Sequence, residues 1–213
     1  MMISPDMYYE EYIKGKSPKI IIRQIRILKK EINKLKKELE EYNSESTEIL
    51  MDPNPLTRIK VSRDYLERAK EALEISGIKY EPTILEKREI AFNESLKNVK
   101  NIFFYIGYIG GPNQGNEYWD ISIVGNEAKC THSSSINSNK ETTMLSKEEI
   151  TETFEDIHIG EWKRDYYNRE KSEGTHWCLE LEFSDGHRCI RISGSNAFPY
   201  NFEELTEFFE AIS

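Results

Sequence analysis

Long hydrophobic runs are missing from this 213-residue chain. No stretch approaches the roughly 18 successive apolar residues of a membrane-crossing helix. Asp6, Glu10, Glu11 and Lys14 interrupt the amino terminus where a secretory leader would need its apolar segment. Neither a membrane span nor an export signal is expected, and the expected location is the cytoplasm. Cysteine is scarce: with three, an odd number, and no export signal, reduced thiols are expected rather than a disulfide framework. Phosphate-cradling loops are lacking as well. There is no G-x-x-x-x-G-K-[ST] segment, and Gly107-Tyr-Ile-Gly-Gly has neither the G-x-G-x-x-G spacing nor the following helix that nucleotide binding requires.

What is present is charge, at 31% of residues, beside 38% apolar residues, which is enough for a core in one or two small domains. Acidic residues outnumber basic ones, 38 to 29, but unevenly: residues 1–80 hold 16 Lys/Arg and 14 Asp/Glu, whereas residues 81–213 hold 13 and 24. Between Lys14 and Lys37 there are ten basic residues and one acid, Glu31. This asymmetry suggests a basic helical arm over 1–79 and an acidic α+β sheet domain over 80–213.

The arm carries the clearest periodicity. Ile21, Ile25, Leu28, Ile32, Leu35, Leu39 and Tyr42 are spaced alternately by four and three residues, a heptad repeat with Ile25, Ile32 and Leu39 at a and the rest at d. β-Branched residues at a with Leu at d favour a parallel two-stranded coil, and Glu31 at g faces Lys36 at e of a second chain, so a homodimer is one expectation. The competing expectation is a hairpin within one chain. Asn43 to Pro55 breaks the first helix (about 17–43), and a second periodic stretch (about 56–76) presents Ile59, Leu66, Ala69 and Leu73 on one side before Gly77 stops it. Ile20, Ile22 and Ile27 lie off the seam, giving a wider apolar face than one coiled-coil partner covers, which places the hairpin first. Arg23, Arg26, Lys30, Lys34 and Lys37 form a basic stripe opposite the seam, where a nucleic-acid backbone is an alternative ligand to plain solvent.

The second half reads as antiparallel sheet with flanking helices. Asn101 to Tyr108 is a buried strand running into a Gly110-Gly-Pro112 turn, and Trp119, Ile121 and Ile123 alternate with polar residues before Gly125-Asn126 turns the chain into Ala128 to His132. Ser133 to Lys140 reads as a surface loop. Ser146 with Glu149 marks the capping box of a helix ending near Gly160. Asp185-Gly186 is a two-residue hairpin turn pairing Ser184 with His187, which sets Leu181 opposite Ile190, Leu179 opposite Ile192 and Glu180 opposite Arg191. Asn201 with Glu204 caps a last helix whose Phe202, Leu205, Phe208, Phe209 and Ile212 cover the sheet.

Three Cys/His pairs at i, i+2 raise a metal question: Cys130 with His132, His176 with Cys178, and His187 with Cys189. The hairpin register puts Cys178 opposite Ser193, four residues or roughly 13 Å from Cys189, too far for one tetrahedral ion. No metal or other cofactor is therefore assigned. Cys178 beside His176 and Ser195 after Gly194 lack a nucleophile elbow or a positioned base, so no catalytic residue is assigned either. Trp177, Asp185, Asn196 and Phe198 are the candidates for a small recognition loop, or for the pocket of a small hydrolase.

Three segments carry a resemblance: Tyr8-Tyr-Glu-Glu-Tyr-Ile-Lys-Gly-Lys16; Thr57-Arg58 with Arg63-Asp-Tyr-Leu-Glu-Arg-Ala-Lys70; and Gly174-Thr-His-Trp177 through Asp185-Gly186 to Gly194-Ser-Asn-Ala-Phe-Pro199. Over most of its length the chain resembles a group of uncharacterised proteins of low-GC Gram-positive bacteria. The resemblance implies no activity, cofactor or catalytic residue. From the residues, the leading expectation is a non-enzymatic interaction module that binds itself or another protein through the seam, with a place in immunity, antitoxin or phage-conflict systems as a loose analogy.

Overall fold

In the computed structural model, which describes residues 3–45, 54–109, 115–135, 140–171 and 173–213, the heptad stripe lies along one 28-residue helix. The chain divides into two units, Met1–Pro82 and Thr83–Ser213. The first begins with helix α1 (Pro5–Tyr8), capped by the Ser4 hydroxyl on Met7 N, which runs directly into a π-helical turn over Tyr9–Ile13. Helices α2 (Pro18–Glu45) and α3 (Pro55–Ile75) both open on proline, whose missing N–H costs nothing in a first turn. The Asn54 side chain accepts from Leu56 N at 2.8 Å, and Gly77, at φ +83°, supplies the left-handed residue that stops α3.

Helices α2 and α3 pack on each other as a hairpin. The seam residues Ile21, Ile25, Leu28, Ile32 and Leu35 are buried, as are Ile59, Leu66, Ala69 and Leu73 of α3, while Leu39 is half-buried. Tyr8 stacks on Tyr65 with centroids 4.2 Å apart, and Arg68 pairs with Asp6 at 3.1 Å, tying the first turns to α3.

The second unit opens with α4 (Ile84–Leu96), followed by strands β1 (Val99–Ile109), β2 (Asn116–Val124), β3 (Glu127–Ser134) and β4 (Lys140–Ser146). Helix α5 (Lys147–Asp156) and a 3-10 turn (Ile159–Glu161) precede β5 (Asp165–Tyr167), β6 (Gly174–Phe183), β7 (Ile190–Ser195) and α6 (Phe202–Ala211). The seven strands form one sheet in the order β4-β3-β2-β1-β6-β7-β5, antiparallel except for the β5–β7 pair. This is an α+β protein. One face of the sheet presents Ile102, Phe104, Trp119, Ile121, Cys130, Leu179, Leu181 and Ile192 to a core closed by Ile150, Phe154, Phe202, Leu205 and Phe209. Phe104 stacks on Phe209 at 4.4 Å, and Trp177 meets Phe202 at 4.6 Å. No described helix is long and apolar enough to cross a membrane.

Several expectations change. The β6–β7 register is the expected one, with Leu181↔Ile190, Leu179↔Ile192 and Glu180↔Arg191. The turn that sets it is not the expected two-residue one. A type I′ turn needs positive φ at both central residues, and only Gly186 of the pair has it. The Asp185 carboxylate instead accepts from His187 N at 3.0 Å, an Asx-type turn in a longer connection. The Ser133–Lys140 loop is shorter than expected, because β3 runs to Ser134 and β4 starts at Lys140; residues 136–139 and the Gly110-Gly-Pro112 turn lie outside the described residues. Helix α5 stops at Asp156 rather than near Gly160, because His158 turns left-handed at φ +57°. Asn201 makes no side-chain cap: its amide is spent in the interior, on Trp162, Ile157 and Glu204.

Candidate functional site

The seam assigned to partner binding is covered within the chain. Ile21, Ile25, Leu28, Ile32 and Leu35 face α3, so an intermolecular coil would have to displace that helix. What α2 offers to solvent is its opposite side. Arg23, Arg26, Lys30, Lys34 and Lys37 are all exposed there. Lys34 and Lys37 approach Glu38 and Glu41 one turn on, both at 3.5 Å, which tempers the positive charge of the second half. Along the first half Ile20 and Ile27, one heptad apart, are 42% and 47% exposed among Lys19, Arg23, Arg26 and Lys30. That half of the helix is a cationic surface with apolar residues set into it.

Of the proposed recognition loop, Trp177, Asn196 and Phe198 meet at the β7–α6 connection, whereas Asp185 does not join them. Asp185 follows the carboxyl end of β6, whereas Asn196 pairs with Thr175 at its beginning, so the length of a ten-residue strand separates them. Nor is Asn196 free to read a ligand. It is buried, its carbonyl accepts from Thr175 N at 2.9 Å, and its amide donates to Glu173 O at 2.8 Å and Lys171 O at 3.4 Å. Its φ of +52° is one that asparagine tolerates better than most residues. The Trp177 indole donates to Ala197 O at 3.0 Å, and Phe198 packs on Phe202 at 5.0 Å. These contacts hold the β7–α6 connection in place.

The three Cys/His pairs are dispersed. Cys130 is under the helices, His132 stacks on Trp119 at 4.8 Å and meets Glu117 at 2.7 Å, and His187 pairs with Asp185 at 2.7 Å. His176 and Cys178 lie on the opposite face of the sheet, in register with Ser195 and Ser193. All three thiols are free, and each is pushed up from its ordinary value: Cys130 to about 11, by burial and then by Asp120, and Cys178 and Cys189 upward, chiefly by burial. A thiol held protonated is a poor nucleophile.

The structure assembles a cluster that no local motif announces. Helix α4 is started by a full capping box, in which the Thr83 hydroxyl serves Glu86 N and the Glu86 carboxylate takes Thr83 N at 2.8 Å. One turn on, Glu89 faces the 3-10 turn that follows α5. Gly160 permits this contact, since a Cβ there would sit 2.9 Å from Glu89 Cα and 3.0 Å from Phe92 Cβ. On either side of that glycine, His158 and Glu161 reach the same spot. His158 Nδ1 lies 2.5 Å from Glu89 Oε1, across 69 residues of sequence, and the ligating atoms of Glu89, His158 and Glu161 all fall within 4.8 Å of one another. Tyr200 donates to Glu161 Oε2 at 3.2 Å, and Arg88 donates to Trp162 O. Asn201 braces the turn from beneath, accepting from Trp162 Nε1 at 3.0 Å and donating to Ile157 O at 2.5 Å. Thr83-x-x-Glu86 has the capping-box spacing that could locate the start of α4. Nothing in the sequence marks Glu89 as a neighbour of His158.

Comparison of the chain with family models, with curated proteins and with solved structures finds no match.

Proposed function

We propose that this chain is a non-enzymatic interaction module of the bacterial cytoplasm that self-associates through its helical arm, using the outward face of α2 rather than the heptad seam. The supporting observation is the pair of exposed isoleucines, Ile20 and Ile27, set among Lys19, Arg23, Arg26 and Lys30. Water-exposed aliphatic side chains ringed by one sign of charge suit an acidic protein surface with an apolar centre. The chain itself carries acidic candidates: the outer sides of α5, with Glu148, Glu149, Glu152, Glu155 and Asp156, and of α6, with Glu203, Glu207 and Glu210, are all exposed. A basic arm on one copy meeting an acidic helix on another is a heterologous contact, which closes into a ring or propagates.

Sedimentation velocity across a salt series tests this. The full chain is expected to self-associate at low salt and to dissociate as salt rises, and the Ile20→Ser/Ile27→Ser and Arg23→Glu/Arg26→Glu variants are expected to stay monomeric. A wild-type monomer at every concentration and salt would remove the proposal. The second reading, nucleic-acid binding, is favoured by five cations exposed along one helix. It predicts oligonucleotide affinity that falls steeply with salt, is lost when Arg26, Lys30, Lys34 and Lys37 are neutralised, and is indifferent to Ile20→Ser/Ile27→Ser.

A further inference from the structure

We propose that Glu89, His158 and Glu161 form a binding site for a divalent transition-metal ion, zinc first among them. One imidazole nitrogen and two carboxylate oxygens are a ligand set that zinc-class ions accept and that calcium and magnesium, which take oxygen ligands, do not favour. Bond lengths of about 2.0–2.2 Å to one ion require the three donors roughly 3.5 Å apart. The atoms are already within 4.8 Å of one another, so side-chain adjustments on the order of 1 Å close the set.

The site has features that ion pairs on a surface lack. Glu89 and His158 are held partly out of solvent, their side chains 15% and 31% exposed. The donors come from two elements clamped together by the Gly160 contact, so the backbone fixes their spacing. Glu161 is oriented by the Tyr200 hydroxyl, the kind of outer hydrogen bond that aims a metal ligand. His158 and Glu161 leave the same short turn, which Asn201 and the Trp162 indole anchor to the start of α6. The ion takes the place of the hydrogen bond between His158 Nδ1 and Glu89 Oε1, so that both side chains turn from each other to the metal. Three protein donors leave a coordination position for water.

The test uses the untagged full chain, stripped with chelator and titrated with Zn2+ by calorimetry and with Co2+ by visible absorption. One ion per chain is expected, with a raised melting temperature for the zinc form. Glu161→Gln and His158→Asn, the latter chosen because asparagine accepts the left-handed backbone of that position, are each expected to abolish saturable binding. Tyr200→Phe should weaken it about tenfold, and His187→Gln, remote in the β6–β7 connection, should leave it unchanged. Wild-type protein that takes up neither metal overturns the site, as does binding that persists in both ligand variants or is displaced by equimolar Mg2+. Unfolding curves of the metal-free variants separate lost ligation from lost fold. If His158→Asn proves unfolded, Glu161→Gln decides alone.

Discussion

In the helical unit α2 buries Ile21, Ile25, Leu28, Ile32 and Leu35, an aliphatic seam packed chiefly against α3. The sheet unit buries three tryptophans and gives each indole N–H an acceptor at 3.0 Å: Ser213 for Trp119, Asn201 for Trp162 and Ala197 for Trp177. All three acceptors belong to the last stretch of chain, so the sheet unit fastens its carboxyl-terminal segment by directional bonds set inside an aromatic core. A seam of interchangeable aliphatics tolerates change of shape but not loss of volume. A polar contact within a core fails when a single partner is removed, because the other partner is left buried and unpaired.

The largest effects should come from volume. Phe209→Ala, at the stack on Phe104, is expected to destabilise the sheet unit by about 3–5 kcal/mol, and Ile32→Ala the hairpin by about 2–5 kcal/mol. Ile27→Ala, on the outward side of the same helix, should stay within about 0.5 kcal/mol. Denaturant unfolding of the three variants checks this, and equal losses for Ile27 and Ile32 would show that α2 is rotated from the orientation described. Next is the polar contrast. Asn201→Ala leaves the Trp162 N–H and the Ile157 carbonyl without their partner, for an expected loss of about 1–3 kcal/mol in the sheet unit alone.

A further contrast is expected at alkaline pH, and it again separates the units. Cys130 moves from 9.0 to about 11 and Tyr8 from 10.0 to about 12, both mainly through burial. Each group keeps its proton longer folded than unfolded, so its contribution is complete below the unfolded value and is lost as pH rises through the folded one. Thermal unfolding should show the sheet unit weakening above about pH 9 and the hairpin above about pH 10. Cys130→Ala should lessen the first decline, to which the raised thiols of Cys178 and Cys189 also contribute. In the native chain Cys189, which is exposed, should react with a thiol reagent ahead of Cys130.

Legibility followed contact range. The 3.5-residue period from Ile21 to Tyr42 and the apolar positions of α3 are local patterns, and the register Leu181↔Ile190 could be read from residues nine apart. Helix α4 is poorly legible in the sequence because Ile84, Leu85 and Ile90 are exposed and blur its apolar face. Strand β5 is three residues long and pairs in parallel with β7, a partner that its own sequence does not identify. Asn196 and Asn201, which look like turn and cap residues, are interior hydrogen-bonding groups because their surroundings are built by segments up to 44 residues away.

By itself the sequence determined the periods: where a helix repeats, where strands alternate, and which residues share a face. These follow from backbone geometry acting over a few residues. Which surface each face meets was decided only in three dimensions. The seam of α2 is covered by α3, the outward isoleucines remain in water, and Glu89 arrives beside His158 and Glu161 because a glycine between the latter two lets α4 come close. Such meetings depend on volumes packed from distant parts of the chain, and no local spacing encodes them.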